Sequence, residues 1–221
     1  MFRLLLIICG IAAFTGCKTP SFTTANDMRL INGSIITKDD KQIDGAVTAN
    51  LQNYNSRSYI MITPKDGKEQ KVNIMDIKSM TVRGNTYEPK LIDMGFGSRD
   101  QMLFVKRISK GDTKIKLYEL FEQHTNNYTS RYGGTTQNTT DDYTYYVTIP
   151  NRTMQQTAWN IGGKHFTPNF EDKMSEFVKD CPALADKIRH KEKGYFYAQV
   201  SLAEKKIEVL MNIIDEYEKC K

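Results

Sequence analysis

Short runs in which apolar and polar residues alternate dominate residues 28–122. Many of the apolar positions are Ile, Val, Tyr or Phe, which are favoured in strands, and turn-forming Gly, Asp, Asn and Pro separate the runs. This pattern predicts strands over residues 28–37, 42–50, 58–63, 70–74, 77–83, 101–109 and 113–121. The short connections between them predict an antiparallel meander that curls into a small barrel or sandwich.

A polar stretch interrupts this pattern at residues 123–142, which are rich in Asn, Thr, Gly and Gln and nearly lack aliphatic side chains. We expect a long polar loop or a hairpin tip there. Residues 143–149 then alternate strictly, with Tyr143 and Tyr145 on one face. They predict a strand that returns antiparallel beside residues 113–121.

The last part of the chain changes to a helical period, after one further strand that we expect within residues 154–161. A first helix is predicted after the N-cap residue Asn169, a second, short one from Pro182, and a longer one from Tyr197. The longest apolar stripe consists of Val200, Ala203, Ile207, Leu210, Ile214 and Tyr217.

These patterns together predict an α+β protein. A β-rich domain at residues 28–166, which includes the polar loop at residues 123–142, is followed by a C-terminal helical segment at residues 167–221. We expect two to three helices in this segment, packed on the β-rich domain.

The N-terminus has the pattern of an export signal. Arg3 precedes an apolar run at residues 4–14, and the sequence FTGC closes it at Cys17. The run is about half of the roughly 20 residues that a membrane-spanning helix needs. The ending resembles the lipobox of bacterial lipoproteins, which implies a signal peptide at residues 1–16 and a lipid on Cys17. The alternative is an ordinary secretory signal whose cleavage site precedes a cysteine.

The segment after the signal is polar. Residues 17–27 indicate a lipidated cysteine followed by a flexible tether. A lipid at Cys17 would attach the protein to the outer membrane. No acidic run follows this cysteine, which favours the periplasmic face over the cell surface.

The four cysteines differ in position. Cys9 lies in the signal and Cys17 is the expected lipid site, which leaves Cys181 and Cys220. Two cysteines in an oxidising compartment are typical of one disulfide. A metal or redox site is the alternative, but neither cysteine has a CxxC partner or a histidine at ligand spacing.

The charge pattern bears on the class of partner. The chain has 31 basic and 26 acidic residues, a formal net charge of +5, and the two signs are interspersed. A nucleic-acid-binding protein would cluster its basic residues, so the sequence predicts no nucleic-acid partner.

No catalytic, metal or cofactor motif is present. The three histidines, His124, His165 and His190, are too far apart for an HExxH arrangement. The adjacent acids Asp141 and Asp142 are typical of a solvated loop. If the protein were a hydrolase, we would expect its site where His165 or His124 meets these two acids.

Tyrosines gather around the polar stretch and suggest a partner contact. The candidates are Tyr128, Arg131, Tyr132, Tyr145 and Tyr146. Tyrosine surrounded by Asn, Ser and Gly is typical of adaptable recognition loops, and we expect Tyr146 or Tyr132 to remain accessible. The alternative is a hairpin tip whose rings fold back on the sheet.

Several segments resemble a known group. The segments ITKDDKQIDG, VNIMDIKSMTVRGNTYE and KGDTKIKLYE, with the later Asp180, Cys181 and Pro182 before an amphipathic helix, are similar to Bacteroidetes lipoproteins of unknown function. The resemblance implies a fold and a compartment, and it carries over no catalytic residue. The sequence therefore favours a lipid-anchored envelope protein with a non-enzymatic binding or structural role and an envelope protein or glycan as partner. An envelope hydrolase with a site assembled in three dimensions is the alternative.

Overall fold

The computed structural model describes residues 21–24, 27–51, 58–92, 101–111, 114–129, 131–148 and 157–220. Within these ranges eleven strands form one sheet, and three helices follow near the C-terminus. The strands are β1 (Ser21–Thr24), β2 (Asp27–Thr37), β3 (Gln42–Asn50), β4 (Tyr59–Pro64), β5 (Gln70–Asn73), β6 (Ile77–Val82), β7 (Asn85–Ile92), β8 (Gln101–Arg107), β9 (Lys116–Thr129), β10 (Thr135–Thr148) and β11 (Thr157–Asn160). The helices are α1 (Phe170–Phe177), α2 (Pro182–Arg189) and α3 (Ala203–Tyr217). The predicted α+β class is confirmed.

Most neighbours in the sheet are consecutive strands, as a meander requires, with one crossover. The order is β11-β10-β9-β8-β7-β6-β2-β3-β4-β5, and β1 pairs with β2. A single 3₁₀ turn, Ile74–Asp76, carries the chain from β5 back to the other edge of β2, where β6 pairs. Arg83 and Gly84 both have positive φ angles and form the tight turn into β7.

The first half of the sheet curls over its own hydrophobic cluster. Ile35 on β2, Val47 on β3, Ile62 on β4 and Met80 on β6 are all fully buried in it. Phe104 on β8 joins the same cluster and ties this half of the sheet to the second half.

The second half closes into a small barrel. Strands β7 to β11 pair in sequence, and β11 also pairs in parallel with β7 through Thr157↔Leu91 and Ala158↔Ile92. One buried cluster receives side chains from all five strands and fills the interior: Ile92, Leu103, Val105, Tyr118, Leu120, Tyr146 and Ala158. The predicted barrel is therefore present as a five-stranded ring.

The helices cover the outer face of the ring. Leu117, Val147 and Trp159 from β9, β10 and β11 share a buried cluster with the apolar faces of all three helices. The ring of Tyr197 packs on Phe170 with centroids 4.0 Å apart, and its hydroxyl donates to the Ile161 carbonyl at 2.8 Å. Within the described ranges, no helix combines the length and the apolar character that crossing a membrane would demand.

Cys181 and Cys220 are joined, as predicted, across 39 residues of sequence, with their Cα atoms 5.7 Å apart. Cys181 directly precedes α2, and Cys220 follows the end of α3. The bond therefore links the start of α2 to the end of α3.

The structure corrects one expectation about local structure and decides between the two alternatives of another. The predicted tether at residues 17–27 contains β1, because Phe and Thr favour an extended backbone and Phe22 pairs with Met28. For residues 123–142 the hairpin is present and the long loop is not, since polar threonines also favour strands and the β9–β10 ladder extends to Thr129↔Thr135. Cys17 itself lies outside the described residues.

The third helix begins later than predicted, at Ala203 and not at Tyr197. The Ala198 amide donates to the Ser201 hydroxyl, and the Ser201 amide donates back to the Ala198 carbonyl, which closes a turn before the helix. Val200 is 92% exposed and does not join the buried stripe. Asn169 does precede α1, but it adopts a left-handed conformation and its side chain makes no cap hydrogen bond.

Candidate ligand groove

A groove of about 310 Å³ lies on the outer face of β7 to β10, beside the helical layer. Its lining comes from side chains that the sheet register aligns in rows across the strands. In the first row Tyr87 is opposite Lys106, Lys106 opposite Glu119, and Glu119 opposite Tyr145. Because side chains alternate along a strand, these residues all project from the same face of the sheet.

The second and third rows extend the same face toward the end of the hairpin. Phe121 is opposite Tyr143, and Gln123 is opposite Asp141. The rings of Phe121 and Tyr143 lie 5.1 Å apart at an interplanar angle of 56°. Tyr143 is 53% exposed, so a large part of its ring is accessible to a ligand.

The apolar wall of the groove packs into the hydrophobic cluster of the first half of the sheet. Leu51, at the end of β3, and Phe104, on β8, line the groove and are themselves part of the buried first cluster. Residues packed in this way change conformation little, so the apolar side of the groove is held in place before any ligand arrives.

The polar side chains of the groove are paired with each other. Lys106 donates to Glu119 at 3.1 Å, and the Gln123 amide donates to Asp141 at 3.0 Å. Burial raises the pKa of the Tyr87 hydroxyl. The charge of Lys106 lowers this pKa and the charge of Glu119 raises it, and the net pKa lies above the ordinary value. Burial and the charge of Glu119 also raise the pKa of Tyr145. Both hydroxyls therefore remain protonated at neutral pH and can donate hydrogen bonds.

A second charged cluster lies on the other face of the same strands, inside the ring. Glu88 is 5% exposed and accepts hydrogen bonds from Arg107 at 3.2 Å and from the Tyr118 hydroxyl at 2.8 Å. Lys90 forms an ion pair with it at 2.8 Å. We name Glu88, Lys90, Arg107 and Tyr118 the interior cluster.

The interior cluster is electrostatically satisfied. Burial opposes ionisation of Glu88, but the charges of Lys90 and Lys116 and the hydrogen bonds from Lys90 and Tyr118 outweigh it and lower its pKa. Burial and the Glu88 charge raise the pKa of the Tyr118 hydroxyl, so it stays a donor. Among the described side chains, no buried nitrogen or oxygen lacks a hydrogen-bond partner. This cluster thus offers no open group to a ligand.

The tyrosine-rich candidates do not form one surface. Arg131 and Tyr132 lie in the exposed turn of the hairpin, where Tyr132 is 99% exposed, and Tyr145 is partly buried at the end of the first groove row. The side chain of Tyr128 lies outside the described part of the molecule. Of Tyr146 and Tyr132, one of which was expected to remain accessible, Tyr132 is the accessible one. Tyr146 is 5% exposed and fills the ring interior, because it faces opposite to Tyr145 and the ring is closed.

A hydrolase site was expected where His165 or His124 meets Asp141 and Asp142; His165 does not meet them in the described part of the molecule, and the side chain of His124 lies outside it. Asp141 and Asp142 are neighbours on one strand and point to opposite faces, so their carboxylates cannot converge. His165 packs against Trp159 and borders a separate surface groove with Lys164, Asp172, Lys173, Glu176 and Phe177. In the described ranges no three His, Cys, Asp or Glu side chains gather as a metal ion would require.

Most residues of the groove were not singled out from the sequence. Tyr87, Lys106, Glu119 and Phe121 lie on three different strands, and only the register brings them together. The one available signal was the alternation on residues 143–149, which places Tyr143 on the face that carries the groove.

Comparisons with protein-family models, with curated proteins and with solved structures found no match. The resemblance to Bacteroidetes lipoproteins therefore rests on the sequence segments alone. A function has to be argued from the chemistry of the groove.

Proposed function

We propose that the protein is a lipid-anchored, non-enzymatic binding component of the cell envelope, and that its ligand is a carbohydrate held in the groove on β7 to β10. The observation that carries the proposal is the lining itself. The exposed ring of Tyr143 and the partly buried rings of Tyr87 and Phe121 lie there beside planar carboxylate and amide groups on a pre-formed sheet face. Pockets of about 300 Å³ or more that combine apolar walls with a few directed polar groups are typical ligand sites.

The chemistry of a sugar ring fits this lining. One face of a pyranose presents C–H groups that can stack on the accessible ring of Tyr143. Its hydroxyls both donate and accept, and the groove supplies acceptors on Glu119 and Asp141 and donors on Lys106 and Gln123. Each of these pairs can exchange its internal hydrogen bond for one to the ligand.

A peptide or a nucleic acid fits less well. An extended peptide binds by adding a strand to a sheet edge, but the groove lies on the face of the sheet and offers no backbone ladder. The charged side chains that line it are Lys106, Glu119 and Asp141, which give no excess of positive charge for phosphates.

The anchor part of the proposal is supported by the sequence FTGC, which ends at Cys17. A diacylglycerol thioether on Cys17 would hold the protein at the outer membrane, on its periplasmic face. Lipidation is tested by mass spectrometry of the mature protein and by its partition into detergent. We expect Cys17→Ser to abolish the mass increment and the partition. A Cys17→Ser protein that is processed identically and stays membrane-bound would contradict it.

Ligand binding is tested with the full mature protein in a detergent that has no sugar headgroup. The probes are neutral hexasaccharides of the cello, malto, xylo and chito series, and binding is measured by isothermal titration calorimetry. We expect at least one series to bind. Tyr143→Ala should weaken this binding about tenfold, which corresponds to about 1.4 kcal/mol.

The matched control is Tyr59→Ala. Tyr59 is a strand tyrosine of similar exposure, 49%, on β4, and it is not part of the groove. The proposal is wrong if none of the four series binds, or if both variants weaken binding equally. Chromatography of the titrated samples adds a further outcome, because shortened oligosaccharides would favour the hydrolase.

A further inference from the structure

The hairpin of β9 and β10 continues well beyond the ring as a two-stranded ribbon. The β9–β10 ladder runs from Lys116↔Thr148 to Thr129↔Thr135. In the described ladders β8 pairs with β9 only at Glu119 and Tyr118, and β11 pairs with β10 only at Tyr146 and Val147. From Tyr143 to Thr135, at about 3.3 Å per residue, the ribbon extends on the order of 30 Å.

The side chains that β10 contributes to the ribbon do not serve a core. Every residue of β10 from Thr135 to Tyr143 is exposed, and the sequence between them is Thr, Gln, Asn and Asp. A two-stranded ribbon without a packed apolar face is only marginally stable in water. Its composition is thus explained by what the exposed side chains can contact and not by burial.

One face of the ribbon is a direct continuation of the groove. Alternation along β10 places Thr139, Gln137 and Thr135 on the same face as Tyr143 and Asp141. Asp141 and Tyr143 line the groove. The groove therefore opens at Asp141 onto a row of hydroxyl and amide groups. We name Thr135, Gln137 and Thr139 the ribbon row.

We infer that the ligand is a neutral polysaccharide, with a short segment held in the groove and the following sugar units lying along the ribbon row. This inference rests on the proposed carbohydrate function of the groove. Hydroxyl and amide side chains match the hydroxyls of a neutral glycan, and the ribbon row carries no charge that would select an ionic polymer. The length of the ribbon is that of several sugar units, so a single monosaccharide would leave it unused.

The experiment measures affinity against ligand length. The full mature protein is titrated with di-, tetra-, hexa- and octasaccharides of the cello, malto, xylo and chito series. We expect affinity to rise at least tenfold between the disaccharide and the octasaccharide of the series that binds. The double variant Gln137→Ala with Thr139→Ala should lose this rise while it retains the native affinity for the disaccharide.

The matched control is Asn138→Ala with Thr140→Ala, which removes the same kinds of groups from the opposite face of the same strand. It should keep the rise with length. Because all four positions are exposed, neither double variant should alter the thermal unfolding midpoint.

The outcomes separate this inference from the proposed function. If Tyr143→Ala weakens binding but affinity does not depend on ligand length, the inference about the ribbon row is wrong and the groove proposal stands. The same holds if the two double variants behave alike. Failure of all series to bind would overturn both. Analytical ultracentrifugation tests a further outcome. If it shows a concentration-dependent dimer that the ribbon-row variant abolishes, the ribbon serves strand pairing between copies of the chain, and the inference about the ribbon row is wrong.

Discussion

The groove and the interior cluster are built from the same kinds of residues on the same strands, yet they differ in every chemical property that matters for binding. Tyr87 lines the groove, whereas its neighbour Glu88 belongs to the interior cluster. On β9 the order is reversed, since Tyr118 faces the interior and Glu119 the groove. Strand alternation sends neighbouring residues to opposite faces. Residue type alone therefore does not identify a binding site. The face of the sheet from which a side chain projects determines whether it can contact a ligand.

Closure of the ring explains the difference. Inside it, Glu88 is surrounded by partners that no ligand can replace, and its charge is balanced where water is excluded. Outside it, Glu119 pairs with Lys106 and Tyr145, and Asp141 pairs with Gln123, at the border of solvent. We therefore expect changes in the interior cluster to affect folding and changes in the groove to affect binding.

The largest effect is expected from Glu88→Ala. It leaves Lys90 and Arg107 without their carboxylate in a buried position, and breaking such a pair costs about 3–5 kcal/mol. Urea unfolding measures this loss. The residual folded protein should bind glycans with native affinity, and a stable Glu88→Ala protein with weakened binding would contradict the division.

A matched tyrosine pair sharpens the comparison. Tyr118→Phe removes a hydroxyl that donates to the Glu88 carboxylate, and hydrogen bonds to charged groups contribute roughly 1.5–3 kcal/mol. Tyr143→Phe removes an exposed hydroxyl and should change the free energy of unfolding by less than about 0.5 kcal/mol. Equal losses in urea unfolding would show that the two faces are not distinct.

Acidification provides a third comparison. The folded pKa of Glu88 lies below the ordinary value of 4.5, so between the two values the unfolded chain binds more protons than the folded one. The stabilisation by Glu88 is thus present above pH 4.5 and declines as the pH falls below it. We expect the stability difference between the native protein and Glu88→Gln to shrink over this range. A difference that is constant from pH 7 to pH 3 would be inconsistent with the lowered pKa.

The smallest effect on stability is expected in the groove. Lys106→Met breaks the ion pair with Glu119, which is partly exposed, and such pairs contribute about 0–1 kcal/mol. Binding of the hexasaccharide should weaken, because a hydrogen-bond donor is lost from the groove. A loss in unfolding free energy as large as that of Glu88→Ala would place this pair with the interior cluster.

Sequence patterns predicted the strands with regular alternation well. Residues 42–50 form a strand with the expected bounds, and Tyr143 and Tyr145 lie opposite β9 as expected. Strand β7 was missed, because Glu88 and Lys90 occupy core-facing positions where the pattern requires apolar residues, and Pro89 lies between them. Only the ring that brings Arg107 and Tyr118 to Glu88 makes such a strand stable.

The groove could not be predicted from the sequence, again because it depends on how the strands are arranged in the sheet. Its rows depend on the register between four strands, and a shift of one residue on β9 would replace Glu119 by Tyr118 in the first row. Tyr146 illustrates the same limit of sequence patterns. Alternation predicts the face on which Tyr146 lies, but not that the strands close into a ring and bury that face.

The parallel pairing of β11 with β7 also sets an order of events in folding. The pairing of Leu91 with Thr157 joins residues that are far apart in sequence. Because β8, β9 and β10 lie between them in the ring, we expect the ring to close after these strands have formed. Contacts of such long sequence separation form slowly, and a chain whose ring is still open exposes Glu88 and Lys90 to water until then. Pulsed hydrogen exchange during refolding should protect the β9–β10 amides before those of Leu91 and Ala158. We therefore expect the seam of the barrel to be the last part of the sheet to become native, and the charges inside it to lose their water only at that step.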